Sequence, residues 1–147
     1  YIKSALKVVG KVNFWKIAIK PGRPLAYGKI NNASFFGLPG NPVSAAVTFQ
    51  IFIIPAIRRM LQMTTSSKLT LNAIVKSNLS KKKGRVEYKR GLLEQKDGVY
   101  IVNTTGLQGS NILSSLSKAN CYIRLSSETN NINKGDIVEV IPFNINL

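Results

Sequence analysis

The chain has 147 residues, 44% of them hydrophobic, which suffices for one ordinary domain or two small ones with a buried core. Its 21 Lys and Arg against 6 Asp and Glu give a formal net charge of +15, which favours anionic partners, although compositional drift of a genome produces the same excess. The chain has no His and a single Cys, so catalytic sets that require histidine are excluded and a metal cage built from this chain alone is disfavoured.

The first part of the chain favours the end of a helix followed by short strands. Residues 2–9 are predicted to be helical, with Gly10 as the terminating residue. Because the chain starts inside this helix without Met, we expect a piece of a longer protein. Three strands are predicted next, separated by a Pro/Gly break and an Asn-Asn turn: 13–19, 25–30 and 34–36.

Two lysines of the first predicted strand indicate an anion site. Because side chains alternate along a strand, Lys16, Ala18 and Lys20 share one face, and four residues at about 3.3 Å each place the two lysines about 13 Å apart. That spacing suits a ligand with two anionic groups, and Ala18 leaves a shallow floor between them. A solvated strand face explains the same pattern without any ligand, and this alternative stays open.

A Pro/Gly loop at 37–42 leads into an apolar helix predicted over 43–61. Asn41 is a good N-cap residue and Pro42 suits the first helical position, so the loop fits either an anion-binding turn or a structural turn. The helix is apolar on nearly every face, so we expect it to be buried in the protein or against a second subunit, with a kink at Pro55. Its most apolar stretch, residues 43–57, is shorter than the roughly 20 residues that a membrane span needs, so we expect a buried helix.

Residues 63–67 form a polar linker, at which we place a domain boundary. After it the sequence changes to short strands of alternating polarity, with a hairpin signal at Asp97-Gly98 and one or two helical turns over 111–117. Short strands at this spacing predict a small barrel or a curled sheet. The predicted strands are 69–76, 85–93, 99–103, 121–125 and 137–141.

The second half also carries basic and glycine-rich segments that suit anions. Arg85 and Arg90 each lie beside a glycine, where a guanidinium can grip an oxyanion at two points, although an exposed barrel arginine explains them as well. Residues 105–110 offer backbone N–H groups, and Ser110 suits either ligand contact or the cap of the next turn. The basic loop 80–84 supports a rival interpretation, a nucleic-acid-binding module, but few aromatic residues accompany its lysines.

Several of these segments together resemble the molybdopterin molybdenumtransferase family, which includes MoeA and the E domain of gephyrin. In the first half the resemblance rests on residues 14–16, 19–24 and 37–45, whose lysine, loop and helix arrangement is specific. In the second half it rests on residues 84–91, 105–110 and 138–143. The resemblance covers almost the whole chain.

The resemblance implies an α+β fold, in which residues 1–64 end an α/β molybdopterin-binding domain and residues 65–147 form a small all-β barrel-like domain. It implies the insertion of molybdate into the dithiolene of adenylylated molybdopterin, with release of AMP. Matching positions suggest Lys16, Lys20 and Arg90 as catalytic residues. The substrate-binding positions that it suggests are Arg23, Pro39, Gly40, Asn41, Pro42 and Ser110.

The resemblance further implies Mg²⁺, held mainly by acidic residues outside this chain, and no carboxylate precedes Glu87. The expected partners are adenylylated molybdopterin, molybdate and a second copy in a homodimer, with neither nucleic acid nor a membrane, and the expected location is the cytoplasm. Without those upstream acidic groups, the chain is expected not to turn over substrate alone. One departure from the family pattern is Arg23, where Lys is frequent; the change keeps the charge and alters the hydrogen-bond geometry.

Overall fold

The computed structural model describes residues 10–63 and 69–143, so the helix end predicted over 2–9 lies outside the described residues. The first four strands are β1 (Lys11–Lys16), β2 (Ile19–Lys20), β3 (Pro24–Ile30) and β4 (Ala33–Gly37). Three of them form an antiparallel sheet in the order β1–β3–β4. The predicted turn between β3 and β4 is confirmed, and Asn31 adopts the positive φ of 53° that Asn tolerates better than most residues.

The single strand predicted over 13–19 is interrupted in the structure, which corrects that prediction. β1 ends at Lys16, and β2 leaves this sheet to pair in parallel with a strand of the second half, Lys20 beside Glu87. The chain turns between the two strands, where Ile17 N–H donates to the carbonyl of Arg23 at 3.0 Å. Lys16 and Lys20 therefore lie on different strands in different sheets and do not share the face that simple alternation predicts.

A helical run follows β4 and consists of α1 (Pro42–Thr48), a π-helical segment (Phe49–Ile53) and α2 (Ile54–Met60). Asn41 caps α1 as predicted, because its Oδ1 accepts a hydrogen bond from Ser44 N–H at 3.3 Å. The kink at Pro55 stays a prediction, but the turn before Pro55 is π-helical, and Ile54 N–H donates to the carbonyl of Phe49. Proline has no N–H and crowds the preceding turn, which accounts for the wider π-helical segment at this place.

Within this chain the helical run is not buried on every face, so of the two predicted alternatives only burial against a second subunit remains for its exposed side chains. Val43 and Val47 are fully buried, whereas Phe49 and Met60 are exposed. The continuous helical run Pro42–Met60 is longer than the apolar stretch 43–57, and its 19 residues are long and apolar enough to cross a membrane by length and composition alone. A core helix of a soluble protein meets the same criteria, so this is weak evidence for a membrane span.

A small closed barrel forms the second half, as the sequence predicts. It consists of β5 (Leu71–Val75), β6 (Val86–Lys96), β7 (Val99–Thr104), β8 (Cys121–Leu125) and β9 (Ile137–Pro142), with a single-turn helix α3 (Ser114–Ser117) before β8. The strand order is β6–β7–β5–β9–β8, and β8 pairs back onto β6 and closes the barrel. The hairpin predicted at Asp97-Gly98 is confirmed, because both residues have positive φ and connect β6 to β7.

A second apolar cluster, apart from the barrel interior, packs the helical run against the barrel. It contains Val43 and Val47 of α1, Ile19 of β2, and the barrel residues Tyr88 and Tyr122. Because both halves contribute to this cluster, the loop that follows β2 is held beside the barrel. The domain boundary between residues 64 and 65 stays a prediction.

Candidate anion-binding site

A cavity of about 510 Å³ lies where the loop after β2 meets helix α1 and two segments of the barrel. Its lining combines glycine and proline backbone with a small number of charged and polar side chains, which is typical of sites that bind small polar ligands. The lining residues are Ile19, Lys20, Pro21, Gly22, Arg23, Pro24, Ser44, Arg85, Gln108, Gly109 and Ser110.

The wall formed by residues 20–24 depends on a glycine. Gly22 has φ of 108°, and a Cβ built on it would lie 2.6 Å from Oγ1 of Thr48. Thr48 is buried and donates this hydroxyl to the carbonyl of Ser44 at 2.7 Å. The loop therefore approaches α1 as closely as only glycine permits, and it is set between two prolines that restrict the backbone.

Three cations and no carboxylate line the cavity. Arg23 and Arg85 are exposed, and neither forms a salt bridge within the described residues. Lys20 pairs with Glu87 behind the wall, Nζ to Oε1 at 3.3 Å, while its side chain stays 52% exposed. Even if the Glu87 charge is assigned wholly to Lys20, and not shared with Lys89, the three lining cations keep an excess of two positive charges, so the cavity favours an anion of more than one charge.

The amide of Gln108 joins the opposite wall to the backbone of β6. Arg90 N–H donates to Oε1 of Gln108 at 2.8 Å, and Nε2 of Gln108 donates back to the carbonyl of Arg90 at 3.2 Å. The same carbonyl also accepts a hydrogen bond from Thr105 N–H at 3.1 Å, directly after β7. The amide of Gln108 therefore fixes residues 108–110 beside the point where β2 joins β6.

Arg90 supports this wall from beneath and does not reach the cavity, which differs from its expected place over the site. It is 1% exposed, and its guanidinium donates to Oγ of Ser115 and to the carbonyl of Gly109, each at 3.0 Å. Burial lowers the pKa of this guanidinium, although an arginine stays protonated under ordinary conditions. Its charge therefore lies behind the loop, with its Nε and Nη2 engaged by Ser115 and Gly109.

The remaining predicted residues fall into two groups. Arg23 and Ser110 line the cavity together with Lys20, as the resemblance suggests. The loop 39–42 does not line the cavity, so its predicted residues Pro39, Gly40, Asn41 and Pro42 lie outside it. Asn41 caps helix α1, as expected if this loop is a structural turn rather than an anion-binding turn. Lys16 is exposed outside the lining, but in the strand register it lies beside Pro24, which does line the cavity.

Four further residues line the cavity that were not among the predicted site residues: Ser44, Arg85, Gln108 and Gly109. Arg85 and the segment 105–110 carried a visible signal, namely cationic or glycine-rich composition beside a strand. Ser44 carried none, because its place on the first turn of an apolar helix predicts burial and nothing more. Buried Ser44 contributes to the wall because Gly22 brings the loop against that turn.

Comparison with known proteins agrees with the resemblance in both halves. Residues 72–143 match the family model described as MoeA C-terminal region (domain IV), and residues 1–59 match the model described as "Probable molybdopterin binding domain". Residues 72–143 belong to the MoeA C-terminal region family. The two matched regions of the chain leave only 60–71 and 144–147 unmatched, and they correspond to the C-terminal portion of MoeA proteins.

Named relatives and solved structures give the same result. A molybdopterin molybdenumtransferase of Haemophilus influenzae is 44% identical over 98% of the chain, and gephyrin of Dictyostelium discoideum is 30% identical over 95%. A crystal structure of the MoeA protein of Pyrococcus horikoshii superimposes with a TM-score of 0.77 at 26% identity over 97% of the chain. The chain spans only 36%, 23% and 34% of these three proteins, respectively.

Proposed function

We propose that this chain supplies the anion-binding half of the active site of a molybdopterin molybdenumtransferase, which inserts molybdate into adenylylated molybdopterin and releases AMP. The carrying observation is the cavity of about 510 Å³ whose lining includes Lys20, Arg23 and Arg85 but no carboxylate. Molybdate is a doubly charged oxyanion, and adenylylated molybdopterin carries phosphate groups, so both substrates match the charge of this cavity. The named relatives support this function and none of them supports the nucleic-acid alternative.

In this proposal the exposed cations bind and orient the anionic groups. The Lys20 ammonium and the guanidinium groups of Arg23 and Arg85 stabilise the negative charge that develops as the adenylate leaves. Ser110 contributes a hydroxyl at the opposite wall. Arg90 acts as a positioning residue, because its guanidinium holds Gly109 and, through Ser115, the start of α3.

Lys16 and the loop 39–42 keep supporting roles in the proposal. Lys16 lies next to Pro24 in the strand register and extends the positive surface beyond the lining residues. Pro39 is buried and Asn41 caps α1, which fixes the first turn and with it Ser44. Their contribution is to hold the wall in place rather than to touch the reacting atoms.

The divalent metal implied by the resemblance does not fit the described residues. No group of three His, Cys, Asp or Glu side chains that could hold a metal ion occurs within residues 10–63 and 69–143. Mg²⁺ prefers several oxygen ligands, and the acid nearest the cavity, Glu87, is already paired with two lysines. No step of the proposal therefore uses a metal.

We also propose a cytoplasmic homodimer, in which the exposed apolar residues of the helical run are covered. Phe49, Ile57 and Met60 are exposed on this run, and large exposed apolar side chains favour an interface. Sedimentation velocity of the full-length protein across a range of concentrations tests this part. A monomer at every concentration would contradict it.

Substitution of single lining cations in the full-length protein tests the function. Lys20→Ala and Arg85→Ala are each expected to lower the rate of molybdenum cofactor formation by about 10²- to 10³-fold, by comparison with other oxyanion-stabilising donors. Lys76→Ala is the matched control, because Lys76 forms an exposed pair with Glu94 and does not line the cavity. Wild-type rates in Lys20→Ala and Arg85→Ala would refute the proposed function.

A further inference from the structure

A buried carboxylate lies behind the Lys20 ammonium. Nζ of Lys20 is 3.3 Å from Oε1 of Glu87, and Nζ of Lys89 is 3.3 Å from Oε2 of the same carboxylate. One carboxylate therefore bridges two ammonium groups and uses a separate oxygen for each. Lys89 is itself largely buried, so it keeps the far oxygen engaged and restricts rotation of the carboxylate.

Glu87 differs from every other acid of the chain in its burial. All six acidic residues lie within the described residues, and of these only Glu87 is buried. A buried carboxylate is unfavourable unless it is paired and hydrogen-bonded, so its place beside the cavity depends on the two lysines. The exposed fractions differ sharply across the pair, 6% for the Glu87 side chain and 52% for the Lys20 side chain.

The backbone sets this pair in register before the side chains meet. Lys20 lies directly beside Glu87 in the parallel pairing of β2 with β6, and Val86 N–H donates to the carbonyl of Ala18 at 2.9 Å. The strand pairing fixes the two Cα positions, but it does not fix an ammonium at the end of four rotatable bonds. Within the described residues, only the contact with Glu87 fixes the position of the Lys20 ammonium.

We propose that Glu87 is a positioning residue that holds the Lys20 ammonium at the cavity wall, ready to bind an oxyanion; this inference rests on the proposed function of the cavity. An ammonium has three N–H donors, so engagement of one by Glu87 leaves two for a ligand. A lysine held in this way has already lost side-chain entropy that a free lysine would lose on binding. Glu87 therefore raises affinity for the anion through Lys20 and without touching it.

A double-mutant cycle in the full-length protein tests the inference, with molybdate as the varied substrate. Glu87→Gln keeps the size and one acceptor oxygen of the side chain but removes its charge. We expect the KM for molybdate to rise about tenfold, in the range seen when outer partners of ligand-binding groups are removed, while kcat changes less. In the Lys20→Ala background, Glu87→Gln is expected to change KM by less than about twofold, because Glu87 acts through Lys20.

The outcomes separate this inference from the proposed function. If Lys20→Ala lowers the rate as expected but Glu87→Gln leaves KM unchanged, or adds its full effect on KM in the residual activity of the Lys20→Ala background, the inference is wrong and the proposed function stands. If Lys20→Ala behaves as the wild type, both fail. A loss of kcat with unchanged KM in Glu87→Gln would indicate general damage to the fold and would also overturn the positioning role.

A matched control and a second variant keep the test decisive. Glu139→Gln breaks the Arg124–Glu139 pair, 2.6 Å long and elsewhere on the barrel, and is expected to leave the KM for molybdate unchanged. Glu87→Asp keeps the charge but withdraws the carboxylate by one methylene, so an intermediate KM is expected. If Glu87→Gln does not fold, the same cycle with Glu87→Asp decides, and a KM equal to that of the wild type would refute the inference.

Discussion

The first loop, residues 20–24 from the last residue of β2 onward, carries Lys20 and Arg23, whereas the second loop, before β6, carries Lys81, Lys82 and Lys83. The second loop is the more basic in sequence, yet its Lys81 is only 3% exposed. The Lys81 ammonium donates to the carbonyls of Lys82 and Thr129, at 3.1 and 2.9 Å. It therefore joins its own loop to the loop between β8 and β9, whereas Lys20 and Arg23 of the first loop line the cavity. The number of lysines in a loop therefore does not show where an anion binds. What matters is whether acceptors of the protein itself already engage each cation.

The glycines of the two loops give the largest expected difference in stability. Gly22 and Gly84 have similar φ, 108° and 102°, but a Cβ on Gly22 meets Thr48 at 2.6 Å and one on Gly84 meets nothing within 4 Å. We expect Gly22→Ala to lower the free energy of unfolding by about 2–4 kcal/mol, since steric overlap adds to backbone strain. Gly84→Ala is expected to cost about 1 kcal/mol from strain alone. Urea denaturation of both variants checks this, and equal losses would contradict the close approach of loop and helix.

Removal of the buried ammonium is the next effect in size. Lys81→Met leaves the carbonyl of Thr129 without its donor and is expected to lower the free energy of unfolding by about 1–3 kcal/mol, with the KM for molybdate unchanged. Lys82→Met, at an exposed position one residue on, is expected to stay within about 0.5 kcal/mol of the wild type. Thermal and urea unfolding measure both. A change in KM for Lys81→Met would place this loop in the site after all.

Salt gives the smallest expected effect. Because Arg23 and Arg85 are exposed, raising sodium chloride from about 0.05 M to about 0.5 M is expected to raise the KM for molybdate a few-fold by screening. Arg23→Ala should reduce this dependence, whereas Lys83→Ala should preserve it, since Lys83 does not line the cavity. Steady-state kinetics at several salt concentrations give the slopes. If Lys83→Ala reduces the salt dependence of KM and Arg23→Ala does not, the second loop and not the cavity binds molybdate.

Much of the fold was predictable because its signals are local. The cap at Asn41, the hairpin at Asp97-Gly98 and the strands of the barrel follow from side-chain chemistry within a few residues. The break between β1 and β2 was not predictable, because it arises when Ile19 and Lys20 pair with β6, more than sixty residues away. The alternation of polar and apolar side chains in residues 13–19 carries no information about a partner strand so far along the chain.

The candidate site was predictable only in part, for the same reason. Lys20, Arg23 and Ser110 were selected from composition and resemblance, and they do line one cavity. Arg90 was selected on the same grounds, but its burial depends on Gly109 and Ser115 from a loop that the sequence does not place. In the sequence Glu87 is distinguished only as the first acidic residue of the chain. Its proposed positioning role follows from its contacts with Lys20 and Lys89, which the fold brings together.

The most direct measurement compares two double variants of the full-length protein that remove the same charge from the two loops. Lys20→Ala/Arg23→Ala and Lys82→Ala/Lys83→Ala each remove two positive charges, and the rate of molybdenum cofactor formation is measured for both. The cavity predicts a loss of at least about 10²-fold for the first pair and less than about twofold for the second. Equal losses, or a larger loss in the second pair, would show that overall charge and not the cavity governs substrate binding.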